Sequence, residues 1–239
     1  MSTYVYGIAP ADRTLPEPIE GIGDPPRPVR TVRSGDLVAL CSDAPAEPKA
    51  KRRDLLAHQH VVITAGAAGP VLPLRFGGVA PDDATVAAML AEHHDSYLER
   101  LTALEGKDEF NVKVHHDEEA VLHLVVAADP DLRDRHAAQR AAGGGTHEEK
   151  IAFGERVARA VAEQERTDAA LVERTLAPYA AAAVRGPEDT GRLANLSFLV
   201  ERERREEFLE AVRALRQENA HLREQVTGPL PPYSFVGTG

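Results

Sequence analysis

At 239 residues, 43% hydrophobic and 28% charged, the chain has the balance of a globular protein with one large domain or two small ones. A net charge of −10, with no basic block set among aromatic residues, argues against a nucleic-acid partner. No run approaches the ~18 apolar residues of a membrane span, the N-terminus lacks the form of a signal peptide, and the single Cys41 excludes an internal disulfide framework, so the expected compartment is the cytoplasm.

Thr3 to Ile8 places Tyr4, Tyr6 and Ile8 on one face of a short strand. A proline-rich loop follows, from Pro10 to Pro28, through which no regular element persists. Thr31 to Arg33 and Leu37 to Cys41 read as strands around a Ser34-Gly35-Asp36 turn. Lys51 to Ala65 has helical spacing, with Leu55, His58 and Val62 on one face. Val71 to Gly77 alternates, with Leu72, Leu74 and Phe76 to one side, and Pro73 confines it to a sheet edge or a bulge. Asp82 and Asp83 favour a helix start, and Val86, Leu90, His93, Tyr97, Leu101 and Leu104 trace its buried stripe. Gly106 ends that helix and marks the expected boundary between domains 1–106 and 107–239.

Glu109 to His115 is the cleanest strand, with Phe110, Val112 and Val114 inward and Asn111 and Lys113 outward. Asp117 caps a segment running to Ala128 that fits helix or strand, with helix preferred. Pro130 breaks it, and a further helical piece runs to about Ala142. Gly143 to Gly145 form a joint, and Thr146-x-x-Glu149 is a capping box opening a long helix to about Tyr179. A short strand at Ala182 to Arg185, a strand from Leu193 to Val200 and a helix from Glu203 to Gln225 complete the series. The order is that of a ferredoxin-like fold with an inserted helical arm. The expected class is therefore α+β, with two ferredoxin-like units.

The final stretch, Gly228 to Val236, carries Pro229, Pro231 and Pro232, which stiffen it in an extended form. Tyr233 and Phe235 would then face one way, docked on the protein's own body. An ordinary terminal edge strand or a partner-docking strand are the alternatives.

Candidate chemistry is sparse. His93-His94 and His115-His116 supply metal-ligand types, but adjacent residues on a regular element point apart, so no metal site is expected. His58 and His93 lie on apolar stripes and read as core histidines. Cys41 reads as a buried, inert thiol, and the glycine triplet lacks the context of a phosphate loop. Nothing selects an enzyme, and no catalytic or cofactor-binding residue is assigned.

Several stretches match one family in the right order. They are Leu55-Leu-Ala-His58 with Val61; Val71-Leu-Pro-Leu-Arg-Phe-Gly77, carrying Pro73, Arg75, Phe76 and Gly77; and Gly106-Lys-x-Glu109 followed by Val112-Lys113-Val114. Asn195 before Phe198-Leu-Val200 and the tail residues Gly228, Pro229, Pro231, Pro232, Tyr233 and Phe235 continue the pattern. Together they resemble the gas vesicle protein GvpF/GvpL family, with Leu230 standing where that family usually has Trp. The resemblance implies a minor component or assembly factor of the gas vesicle, without catalysis or cofactor. It also implies contact with the hydrophobic shell protein GvpA and other accessory proteins. The matching residues would either hold the two domains together or touch a partner, and a buried Arg75–Glu109 pair is the expected form of the first. The rival reading is a small-ligand-binding or enzymatic ferredoxin-like protein.

Overall fold

Strand and helix periodicity resolve into two sheets with helices, an α+β architecture, in the computed structural model, which describes residues 2–12, 18–45, 50–141, 146–187 and 193–237. The chain divides into two compact units, Met1–Glu109 with Gly228–Gly239, and Phe110–Thr227. The tail thus clusters with the first unit, where the sequence reading assigns it to the second. The reason lies in its contacts, described below.

In the first unit, β1 (Thr3–Pro10) is central and almost wholly buried. It pairs antiparallel with β3 (Leu37–Asp43) on one side and with β4 (Leu72–Pro73) and β5 (Val79–Ala80) on the other. With β2 (Arg30–Ser34) on β3, the sheet order is β2-β3-β1-β4. The expected strand over Val71–Gly77 shortens to Leu72–Pro73, followed by a turn at Phe76–Gly77 whose glycine has φ +102°. That conformation suits a residue without Cβ. The loop after β1 is held by Tyr6, whose hydroxyl accepts from the Ile22 amide at 2.8 Å, and Ile19 and Ile22 are buried.

Helix α1 (Arg52–Ala68) buries Asp54, His58, Val61, Val62 and Ala65, and leaves Leu55 exposed, against the expected Leu55–His58–Val62 face. The helix expected from Asp82 to Leu104 is two, α2 (Asp83–Glu92) and α3 (His94–Leu104), broken at His93. Here α2 packs on β2 and β3, whereas α3 packs on β1 and β4, so a straight rod could not serve both. His93 therefore sits exposed at the break and is not a core histidine. Asp82 caps α2 by accepting from the Thr85 amide at 2.8 Å.

The second unit has sheet order β7-β8-β6-β9, built from β6 (Lys107–His116), β7 (Ala182–Arg185), β8 (Ala194–Glu201) and β9 (Leu222–Leu230). Between β6 and β7 run α4 (Glu118–Ala128), α5 (Pro130–Ala141) and the 30-residue α6 (His147–Leu176). Asp117 caps α4, and Thr146 and Glu149 form the capping box of α6. The Gly143–Gly145 joint lies outside the described residues. The core sets Phe110 and Phe198 around Phe208 of α7 (Arg205–Glu218), with ring centroids 5.4 Å apart in both pairs.

Helix α7 stops at Glu218, where the sequence reading carries it to Gln225. Asn219 returns its side-chain amide to the Leu215 carbonyl at 2.8 Å, and its own carbonyl accepts from the Leu222 amide at 2.9 Å. Leu222 keeps helical spacing from Leu215 yet is the first residue of a strand. The tail differs too. It is strand to Leu230 and then a 3₁₀ turn, Tyr233–Phe235, so Tyr233 and Phe235 do not alternate along an extended segment.

Candidate functional site

Two groups of family-motif residues come together in the first unit. In the first, His58 stands between Tyr4 and the turn after β4. His58 Nε2 lies 2.9 Å from the Leu74 carbonyl, which can only accept, so Nε2 carries the proton. The unprotonated Nδ1 accepts from the Tyr4 hydroxyl at 2.9 Å, and the Tyr4 oxygen accepts from the Gly77 amide at 3.0 Å. Phe76 closes the cluster, 5.8 Å from both His58 and Tyr4 by ring centroids. Tyr4 and His58 are both buried. Burial pushes the Tyr4 hydroxyl far above its ordinary range and His58 below its own, the latter partly opposed by the Leu74 bond.

A neutral, buried His58 links stability to pH. Its folded-state pKa is depressed, so the unfolded chain takes up the proton more readily. Stability is complete above the ordinary histidine value of about 6.5 and declines as the pH falls below it. Denaturant midpoints should therefore drop between pH 7.5 and 5, and His58→Gln should flatten that drop. Equal slopes in the two proteins would remove His58 as the cause.

The second group is organised by Glu109 at the start of β6, which follows a turn at Gly106 with φ +69°. Glu109 is only 4% exposed. Its two oxygens accept from the Ser234 amide at 2.8 Å and the Ser234 hydroxyl at 2.7 Å. Arg75 is exposed, so the expected buried Arg75–Glu109 pair does not form, and the carboxylate is satisfied by the tail. A further tie is Arg100, whose guanidinium donates to the Val236 carbonyl at 2.9 Å. Pro232 is buried, and Tyr233 and Phe235 are half-buried.

Beside this tail lies a cleft of about 410 Å³ whose walls include Pro73, Arg75, Tyr97, Arg100, Tyr233 and Val236. Burial first, and the Glu109 charge second, push the Tyr233 phenol up to about 12. Burial also raises Tyr97. Both phenols are therefore protonated near neutral pH. With two arginines beside two neutral rings, the cleft is equipped to bind.

Other motif residues lie apart from these groups. Lys113 is half-buried on β6, and Asn195 accepts from the Asn111 side-chain amide at 3.0 Å, tying β8 to β6. Burial raises the Cys41 thiol to about 12, which suits an inert core group.

One cluster in the second unit was not legible in the sequence. His116 ends β6, His221 precedes β9, and the two lie next to each other because the Asp117 amide donates to the His221 carbonyl at 2.8 Å. Asp168 of α6 meets both, its Oδ2 lying 2.8 Å from His116 Nε2 and 2.9 Å from His221 Nε2. The adjacent His115 is exposed, so the His115-His116 pair divides as its alternation requires. The overlooked signal was Asp168 itself, at four-residue spacing from the buried Val172 and Leu176.

A family model described as "Gas vesicle synthesis protein GvpL/GvpF" matches residues 2–237. The chain is 57% identical over 237 residues to gas vesicle protein F of Streptomyces sp. (strain CB03234), covering 99% of this chain and 100% of that protein. It is 31% identical over 268 residues to gas vesicle protein L of the same strain, covering 98% and 92%. The crystal structure of gas vesicle protein GvpF from Anabaena sp. PCC7120 superposes with a TM-score of 0.80 at 25% identity, covering 100% of this chain and 99% of that one.

Proposed function

The chain belongs to the GvpL/GvpF family of gas vesicle synthesis proteins, and on that premise we propose that it is a non-catalytic accessory protein of gas vesicle formation, working in the cytoplasm and at the vesicle. Its partners in this reading are the hydrophobic shell protein GvpA and other accessory proteins. The family match over residues 2–237 carries the proposal. The higher identity to a protein F than to a protein L from one strain supports an F-type role.

The surface offers contacts suited to an apolar partner. On α1, Leu55, Leu56 and Ile63 are 42%, 55% and 45% exposed, with Leu56 and Ile63 two turns apart on one face. Both sheets place their strands, counted in chain order within each unit, as second-third-first-fourth. This supports reading both units as ferredoxin-like, the proline-rich loop replacing the first crossover helix of the first unit. In this reading the tail is an internal clasp, anchored through Glu109.

The rival small-ligand reading would rest on the cleft. Its phenols are held protonated and its arginines bind without accepting protons, which favours a docking surface over an acid–base site. The test is complementation. In a strain lacking its own gas vesicle protein F, this chain should restore vesicles seen by electron microscopy. Stable expression without vesicles would count against the role.

A further inference from the structure

We propose that His116, Asp168 and His221 form a binding site for a divalent transition-metal ion of zinc type within the second unit. The site is independent of the assembly role. Three separate elements supply the ligands, and the candidate ligand atoms lie within 4.8 Å of one another. Asp168 occupies a position of the α6 stripe that the next two turns fill with Val172 and Leu176, and its side chain is 3% exposed. A carboxylate in such a place is retained only with compensating partners. His116 and His221 side chains are 8% and 12% exposed, so water supplies little of that compensation.

The donor set is two imidazoles and one carboxylate, the ligand types that zinc and its neighbours accept. Both imidazoles present Nε2 to the same oxygen, Oδ2. The other oxygen, Oδ1, is held by the Gln164 side-chain amide at 3.0 Å, an outer partner of the kind that orients metal ligands. Separations of 2.8 and 2.9 Å are those of hydrogen bonds. Around zinc, with bonds of about 2.0–2.1 Å, tetrahedral edges are about 3.3 Å, so on capture the two histidine–carboxylate edges lengthen by about half an ångström. On binding, each neutral imidazole moves its proton from Nε2 to Nδ1, so that Nε2 offers its lone pair to the ion and neither ring loses a proton. Solvent fills the fourth position. The ion would pin the α6 arm to the adjoining ends of β6 and β9.

The test uses the full chain purified without a histidine tag, stripped with chelator and titrated with Co²⁺ or Zn²⁺ alone. Co²⁺ should give a visible ligand-field spectrum that saturates at one ion per chain. Zn²⁺ at about 100 times its Kd should raise the Tm by about 5–10 °C. Gln164→Ala should weaken binding about 10-fold or more, and His221→Gln should abolish the saturable spectrum. His93→Gln, at an exposed site on the other unit, should leave it unchanged. Asp168→Asn is a second ligand variant, and circular dichroism in chelator establishes that each variant is folded. If wild type and folded His221→Gln give the same Co²⁺ spectrum, or Zn²⁺ leaves the Tm unchanged, the cluster is a hydrogen-bonded triad only and the proposal fails.

Discussion

Ending the chain after Thr227 is expected to lower the thermal midpoint of the first unit by at least about 10 °C. The truncation removes the two Ser234 donors from Glu109, a carboxylate that is 4% exposed in the intact chain. Hydrogen bonds to a charged group contribute about 1.5–3 kcal/mol each, and both are lost. Loss of buried Pro232 and of half-buried Tyr233 and Phe235 adds about 1–2 kcal/mol. In a unit of this size each kcal/mol corresponds to roughly 2–4 °C or more. A specific control separates charge from packing. Replacing Glu109 by Leu in the truncated chain removes the stranded carboxylate and should recover part of the loss. If truncation leaves the midpoint unchanged but abolishes binding of the shell protein, the tail is a docking strand for a partner and not an internal clasp.

Tyr4→Phe should destabilise the protein by about 1–3 kcal/mol, although it deletes a single oxygen. That oxygen accepts from the Gly77 amide and donates to His58 Nδ1; His58 is buried, whereas Gly77 is exposed. The buried His58 Nδ1 is left without its donor while shielded from water, a penalty of about 1–3 kcal/mol, and the Gly77 amide adds less because its residue is exposed. The phenylalanine ring keeps the contacts with Tyr6 and Phe76, so the loss reports the hydrogen bonds and not a cavity. Chemical denaturation should show a lower midpoint at unchanged slope. A loss below about 0.5 kcal/mol would mean that water or a shifted backbone replaces the hydroxyl.

Legibility in the sequence tracked the range of the forces involved. Alternation fixed the buried face of β6, since Phe110, Val112 and Val114 need only a covered sheet behind them. The capping box at Thr146 is a contact between residues three apart and was equally plain. Tertiary demands overrode local pattern elsewhere. His93 keeps helical spacing, yet the chain breaks there because α2 and α3 pack on different strands. Leu222 continues the apolar repeat of α7 as the first residue of β9. Motif residues were identifiable, but their partners were not: Glu109 bonds Ser234, 125 positions away, in place of Arg75. The His116–Asp168–His221 cluster joins residues from three elements, and no local spacing encodes it.

The most direct measurement of the proposed role is capture of the shell protein by the full chain from cells making vesicles. GvpA should be retained together with other accessory proteins. Retention should persist at high salt, because an apolar contact is not screened as surface ion pairs are. Substituting Leu55, Leu56 and Ile63 by charged residues should weaken it without changing the fold. If GvpA is absent from the captured material when the chain is folded and abundant, contact with the shell protein is contradicted.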